Sequence, residues 1–183
     1  MKKITLVLIA LCASHFCMAQ YQDESDILPR NEVNLNIANT IAIASVELGY
    51  EYYVGYNQSV GVKFLINDRR NYRAEKHGSK FNTNSAALYY NFYFNREKAG
   101  AGFYVQPFMK YRFGNFKEKK DGRTVKTDMN AFMIGIGVGY KWNFSDSFVI
   151  GPFANIARNF SKEVQDRFSA FDFNAGLLIG YRF

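Results

Sequence analysis

The chain has 183 residues, a formal net charge of +7 and an aromatic content of 17%, with 13 Tyr and 18 Phe. Its mean hydropathy is slightly below zero, and past the N-terminus no segment has the 18 or so consecutive apolar residues of a membrane helix. This excludes a helical membrane protein, and the aromatic load is odd for a water-soluble domain of one-domain length.

The first 19 residues read as a secretory signal. Lys2 and Lys3 precede the apolar run Ile4 to Leu11, and Cys17 and Ala19 stand at the −3 and −1 positions of a cut before Gln20. The run is too short to span a bilayer, which takes roughly 20 residues. Leu11 and Phe16 are not the small residues a lipoprotein signal wants before Cys12 or Cys17. Both cysteines therefore leave with the signal, and the mature chain has no disulfide or thiol chemistry. Losing Lys2 and Lys3 takes the charge from +7 to +5.

Gln20 to Asn31 is polar and acidic, with Pro29 near its end, and reads as a periplasmic lead-in. The barrel is expected over 32–183, built from eight segments with period-two alternation, the signature of strands. Segment one, Glu32 to Ala38, puts Val33, Leu35 and Ile37 on one face. Segment two, Ser45 to Val54, sets Val46, Leu48, Tyr50, Tyr52 and Val54 against Glu47, Gly49, Glu51 and Tyr53. Segment three alternates Val60, Val62, Phe64 and Ile66 with Gly61, Lys63, Leu65 and Asn67. Segment four, from Ala86, carries Leu88, Tyr90, Phe92 and Phe94 on its apolar face.

Segment five sets Phe103, Val105, Pro107, Met109, Tyr111 and Phe113 against Tyr104, Gln106, Phe108, Lys110 and Arg112. Segment six sets Phe132, Ile134, Ile136, Val138, Tyr140 and Trp142 against Met133, Gly135, Gly137, Gly139 and Lys141. Segment seven, Phe148 to Ala157, is the least regular, with Val149 and Phe153 on its inner face. Segment eight runs Phe171, Phe173, Ala175, Leu177, Ile179, Tyr181 and Phe183 against Asp172, Asn174, Gly176, Leu178, Gly180 and Arg182.

Short connections (55–58, 95–101, 143–147) alternate with long ones (68–84, 114–130, 158–170). The connection 39–44 breaks the pattern by being short and apolar. Short turns on one side and long loops on the other are the outer-membrane arrangement, with the turns periplasmic. The apolar faces of segments two, four, six and eight all finish in aromatic pairs: Tyr50 and Tyr52, Phe92 and Phe94, Tyr140 and Trp142, Tyr181 and Phe183. Aromatics at one level form a girdle at a membrane interface, whereas a soluble core has no reason to place them so. The fold class is an all-β, eight-stranded antiparallel up-and-down transmembrane barrel.

The chain resembles the small OmpA/OmpX-type outer-membrane barrels, and more closely an uncharacterised Gram-negative family of such barrels. The resembling residues are Asn31-Glu32-Val33-Asn34-Leu35-Asn36, Glu47-Leu48-Gly49-Tyr50-Glu51, Ser59-Val60-Gly61-Val62 and Gly180-Tyr181-Arg182-Phe183. The resemblance implies a location in the cell outer membrane. It also implies that Tyr181 and Phe183 are read by the outer-membrane assembly machinery. It brings no established activity.

The inward charges are Glu47, Glu51, Lys63, Lys110, Arg112, Lys141, Asp172 and Arg182. A buried charge must be paired or hydrated, so these predict an ion-pair network filling the lumen. A narrow pore or small-ligand barrel is the alternative use. Glu47 and Glu51 are roughly 13 Å apart along one strand, too far for a paired-carboxylate glycosidase site. Gly135, Gly137 and Gly139 lack the following helix of a phosphate loop, and are expected to leave room for Tyr104 and Phe108. Pro107 and Pro152 cannot donate to a ladder, which predicts a bulge or an unmade bond at each.

No catalytic, cofactor-binding or metal site is expected. His77, with Ser79 and Glu75 nearby, sits in a long loop rather than in a preorganised triad, and a single histidine is no metal site. The loops are basic: Arg69, Arg70, Arg73, Lys76 and Lys80 in one, Lys117, Lys119, Lys120, Arg123 and Lys126 in another. They predict attraction to outer-membrane lipid, including lipopolysaccharide phosphates, or to acidic surface polymers. Nucleic acid has the charge but not the compartment. The expected form is a non-enzymatic monomer with a structural or surface-interaction role.

Overall fold

The computed structural model describes residues 29–69, 79–95, 98–120, 123–145 and 147–183. The signal and most of the lead-in lie outside the described residues, as do Arg70, Arg73, Glu75, Lys76 and His77, and the side chains of Ser79 and Lys120.

The strands are β1 (Asn31–Asn36), β2 (Val46–Gly55), β3 (Gln58–Ile66), β4 (Ser79–Tyr93), β5 (Gly102–Lys120), β6 (Arg123–Asp128), β7 (Ala131–Phe144), β8 (Phe148–Asn159) and β9 (Phe171–Arg182). Two short helices, α1 (Ile37–Ile43) and α2 (Lys162–Arg167), lie between strands. All pairings are antiparallel. Pairing of β1 with β9 and of β4 with β5 joins eight strands into a closed barrel. β6 stands apart, pairing only with the far end of β5, Asn115 to Lys120.

The registers close with a definite stagger. Arg182 pairs with Glu32, Glu32 with Glu51, Glu51 with Gly61 and Gly61 with Tyr89. Tyr89 pairs with Phe108, Phe108 with Gly135, Gly135 with Ala157 and Ala157 with Asp172. One circuit thus starts at Arg182 and ends ten residues away on the same strand. That shear on eight strands gives a tilt of roughly 35–45° and an interior only wide enough for side chains.

The alternation produces two faces. Leu48, Tyr50, Phe64, Leu88, Met109, Ile134, Ile136, Phe173 and Ile179 are exposed and point outward, while their neighbours in sequence point into the lumen. β-Branched and aromatic residues suit such a pleated surface. Tyr50, Tyr52, Phe92, Phe94, Tyr140, Trp142, Tyr181 and Phe183 are all exposed at the end that holds the chain terminus. Ring contacts link Phe94 to Phe103 (5.7 Å), Tyr140 to Trp142 (4.9 Å) and Phe148 to Tyr181 (5.1 Å).

Several boundaries differ from the sequence expectation. Segment one stops at Asn36, whose side chain accepts from Asn39 N (3.2 Å) and caps α1, so Ile37 and Ala38 are helical. β1 begins at Asn31, which therefore belongs to the barrel and not to the lead-in. Residues 79–84, expected as loop, extend β4. Within 114–130, expected as a second loop, 114–120 continues β5 and 123–128 forms β6 paired with it. Within the third long connection, 162–167 is helical.

The strands outgrow the apolar band, and their pattern inverts where they do. On β5, Tyr111 and Phe113 point outward; farther along, Phe116 is buried and Lys117 and Lys119 are exposed. On β4, Leu88 points outward, whereas Phe81 is buried and Lys80 exposed. Apolar-out gives way to apolar-in, as a change from lipid to water requires.

Both prolines leave a gap rather than a bulge. β4–β5 pairing breaks off after Tyr89↔Phe108 and resumes at Phe92↔Val105 in the same register, spanning Pro107. β7–β8 pairing skips from Gly139↔Phe153 to Trp142↔Ile150, spanning Pro152. The missing proline N–H interrupts one ladder, while the ladder on each proline's other side is continuous.

Candidate functional site

The lumen holds the polar chemistry of this chain. All eight charges expected there are buried, and Glu32 and Asp68 join them. Five carboxylates (Glu32, Glu47, Glu51, Asp68, Asp172) face five cations (Lys63, Lys110, Arg112, Lys141, Arg182), so among the described residues the buried charge balances.

At the terminal end, Lys141 Nζ lies between Glu32 Oε1 (2.7 Å) and Glu51 Oε2 (2.8 Å). Arg182 Nε reaches Glu32 Oε2 at 3.0 Å. Tyr53 Oη donates to Glu32 Oε2 (2.6 Å) and accepts from Arg182 Nη2 (2.5 Å). Arg182 also donates to the carbonyls of Ala99 (3.0 Å) and Gly100 (2.5 Å), tying the 98–101 turn under the lumen. Glu51 Oε1 accepts from Ser59 (2.5 Å), Asn91 (2.9 Å) and Tyr93 (2.5 Å).

In the middle, Lys63 Nζ meets Glu47 Oε1 at 3.3 Å and donates to Gln106 Oε1 at 3.3 Å. Asn36 (3.0 Å) and Asn174 (3.1 Å) donate to Glu47 Oε2. The space between these side chains is about 20 Å³, lined by Glu47, Lys63, Tyr89, Gln106 and their neighbours. That is enough for about one water molecule.

Toward the loop end, Asp68 Oδ2 accepts from Lys110 Nζ and Arg112 Nε, both at 2.8 Å, and from Ser85 Oγ. Asp172 Oδ2 meets Arg112 Nη2 at 2.5 Å and Lys110 Nζ at 3.8 Å. Asp68 follows the end of β3. Burial alone would raise its carboxyl, but Arg112 and then Lys110 outweigh burial and hold it below the ordinary carboxylate range.

Apolar clusters close both ends. Tyr53, Tyr93, Tyr104, Val149, Phe153 and Leu178 pack at the terminal end. Phe81, Phe116, Met129, Ala131, Met133, Ala157 and Val164 pack at the loop end, with Phe108 and Phe168 against them. Val164 comes from α2 and Phe168 caps its C-terminal end, so this segment closes over the charged cluster; the Phe116 and Phe168 rings meet edge to face at 5.7 Å. Gly135 and Gly139 are inward: a Cβ at Gly135 would strike the Phe108 ring, and one at Gly139 the Tyr104 ring. These glycines make room for the aromatic filling.

Sequence reasoning missed two members. Glu32 stands second in the first strand, where the alternation has too little before it to anchor it. Asp68 was assigned to a basic loop. Asn67 takes a left-handed φ of 57°, Asp68 N donates to Thr83 O (2.8 Å), and the carboxylate turns back into the barrel. Of the basic loop residues, Lys80, Lys117, Lys119, Arg123 and Lys126 are exposed, and Arg69 is half-buried. Among the described residues no three His, Cys, Asp or Glu side chains gather as metal ligands.

Similar backbones occur among solved outer-membrane barrels. The N-terminal β-barrel domain of Pseudomonas aeruginosa OprF is 14% identical, covers 84% of this chain and 96% of its own, and has a TM-score of 0.50. Ail, the attachment invasion locus protein of Yersinia pestis, is 14% identical over 84% of this chain and 98% of its own, with a TM-score of 0.49. Neisserial surface protein A is 9% identical over 83% and 91%, with a TM-score of 0.49. At these identities the OprF likeness speaks to the fold alone, and the other two carry no argument. No curated protein sequence matches the chain. The model of the autotransporter β-domain, a Gram-negative outer-membrane barrel, matches residues 38–165, well over half of the chain and six of the eight barrel strands. A membrane barrel with an apolar outside agrees with that match, and the chain belongs to the autotransporter β-domain family.

Proposed function

We propose that this outer-membrane barrel is non-enzymatic and non-conducting, and serves the envelope structurally or by surface contact through its loop end. The observation that carries the reading is the lumen. Its five carboxylates and five cations are paired with one another, and an apolar cluster closes each end. Such a network leaves no charge over for chemistry or for ions in transit. Among the described residues of the loop end, Lys80, Lys117, Lys119, Arg123 and Lys126 are exposed outside the lumen.

In this reading the terminal end is periplasmic and the β4–β5–β6 extension extracellular. The chain is exported by a signal cut before Gln20, inserted by the assembly machinery through Tyr181 and Phe183, and acts as a monomer. Basic surface charge attracts acidic polymers and phosphates by long-range steering.

The test has two parts. The full chain in planar bilayers is expected to show no stepwise conductance; steps that change with Lys110→Ala or Arg112→Ala would replace this reading with a narrow pore. Cells displaying the protein are expected to bind a soluble acidic polysaccharide, and to lose most of that binding in K117Q/K119Q/R123Q/K126Q. Unchanged binding would remove the surface-contact role.

A further inference from the structure

The registers place three lysines in one row. Lys80 on β4 pairs with Lys117 on β5, and Lys117 pairs with Lys126 on β6. All three are exposed. Directly paired residues stand roughly 4.5–5.5 Å apart at Cβ, and like charges so placed repel. Among the described residues none of the three has an ion pair. Among the described residues a carboxylate on the same pleat of β6, Asp128, accepts from Asn130 N (2.9 Å) and Asn130 Nδ2 (3.2 Å). Lysines commonly guard sheet edges, but Lys117 lies on the central strand of the three, where no edge needs guarding.

The row also has a definite level and direction. β4–β5 pairing keeps one register from Ser79↔Glu118 down to Tyr93↔Tyr104, so Lys117 shares the outward pleat of Phe113, Tyr111 and Met109. Lys80 shares the outward pleat of Leu88. Four residues separate Lys117 from Phe113, about 13 Å along the strand, and the inversion from apolar-out to apolar-in falls between them. The row therefore faces sideways at the level just above the apolar band, where the headgroups of the surrounding lipid lie.

We infer that Lys80, Lys117 and Lys126 form a binding site for the phosphate groups of a phosphorylated lipid of the outer leaflet. The inference rests on the proposed orientation, with this end extracellular. Three ammonium groups on adjacent strands match the dispersed negative charge of a phosphorylated headgroup, while the acyl chains lie along Phe113, Tyr111 and Leu88 below. A soluble anion would gain the charge contacts but not this apolar surface.

The test uses the full chain refolded in neutral detergent micelles, with acyl-labelled lipid A and its fully dephosphorylated form as probes. The unsubstituted protein is expected to retain lipid A at least about tenfold better than the dephosphorylated form, since each lysine near a lipid phosphate contributes severalfold. K80Q/K117Q/K126Q is expected to lose that preference, while K98Q/K162Q keeps it. The heat-dependent gel shift of each variant shows that it is folded. A preference that survives the triple substitution overturns the site, as does complete competition by millimolar inorganic phosphate. Binding of a soluble acidic polysaccharide to K119Q/R123Q separates this from the broader reading. If polymer binding falls there while the triple variant still prefers lipid A, only the lipid site is wrong. If neither variant changes anything, both are wrong.

Discussion

Asn31 and Phe183 exchange both backbone hydrogen bonds: Phe183 N donates to Asn31 O at 2.9 Å and Asn31 N to Phe183 O at 3.2 Å. The Asn31 side chain donates to the same carbonyl at 3.2 Å, and accepts from Tyr50 Oη at 2.7 Å. The last residue thus latches the final strand to the first, while its ring stacks with Tyr181 at 6.5 Å in the aromatic girdle. Deleting Phe183 removes the latch and one girdle ring together. The expected result is a marked fall in the heat-shifted, folded fraction in outer membranes, read on unheated gels. Phe183→Ala keeps the backbone bonds and is expected to fall less; equal losses would mean that the ring alone matters.

Lys141 is the only cation bonded to both Glu32 and Glu51 among the described residues. Lys141→Met leaves Glu51 buried without a cation and is expected to lower unfolding stability by about 3–5 kcal/mol, seen as a lower urea midpoint. Glu32 still has Arg182. The double variant K141M/E51Q removes one charge of each sign, so it should recover a substantial part of the loss. No recovery would mean that the charges are not what the lumen balances.

A Cβ at Gly139 meets only the Tyr104 ring among its three nearest atoms, whereas one at Gly135 also meets backbone at Ile156. Gly139→Ala is therefore expected to cost about 1–3 kcal/mol by overpacking. The loss should be offset when Tyr104→Ala is added, since that frees the space. Gly135→Ala should not be rescued by Phe108→Ala. Urea titration of the four variants distinguishes the two sites.

Val164 is fully buried against the Phe81 and Phe116 cluster. Val164→Asp is expected to release α2, with faster amide exchange confined to α2, β6 and the upper parts of β4 and β5. Amides in β1 to β3 should be unchanged, because the barrel below is a separate cooperative unit. Uniformly faster exchange would instead make the cap part of one barrel-wide unit.

The eight-stranded barrel was legible because lipid outside and side chains inside impose strict period-two alternation, as in Phe171 to Phe183. The inward charges Lys110, Arg112, Lys141 and Arg182 were legible for the same reason. Above the apolar band both faces of Lys80 to Asn84 and Asn115 to Lys120 carry polar residues, so the alternation that marks a strand fades, and those stretches read as loops. Only Phe81 and Phe116, apolar and inward, hint at the continuing sheet. The helix α1 was hidden because its seven residues are too few to show a helical period, and Ile41 is exposed. Asp68 could not be placed without the left-handed turn at Asn67. The lysine row is a property of register between distant segments, invisible to any reading along one strand.

The account rests on a barrel set in the outer membrane, and cell fractionation with heated and unheated gels tests that most directly. The chain is predicted to sediment with outer membranes and to change mobility on heating. A chain recovered soluble in the periplasm, with one mobility at all temperatures, would contradict it.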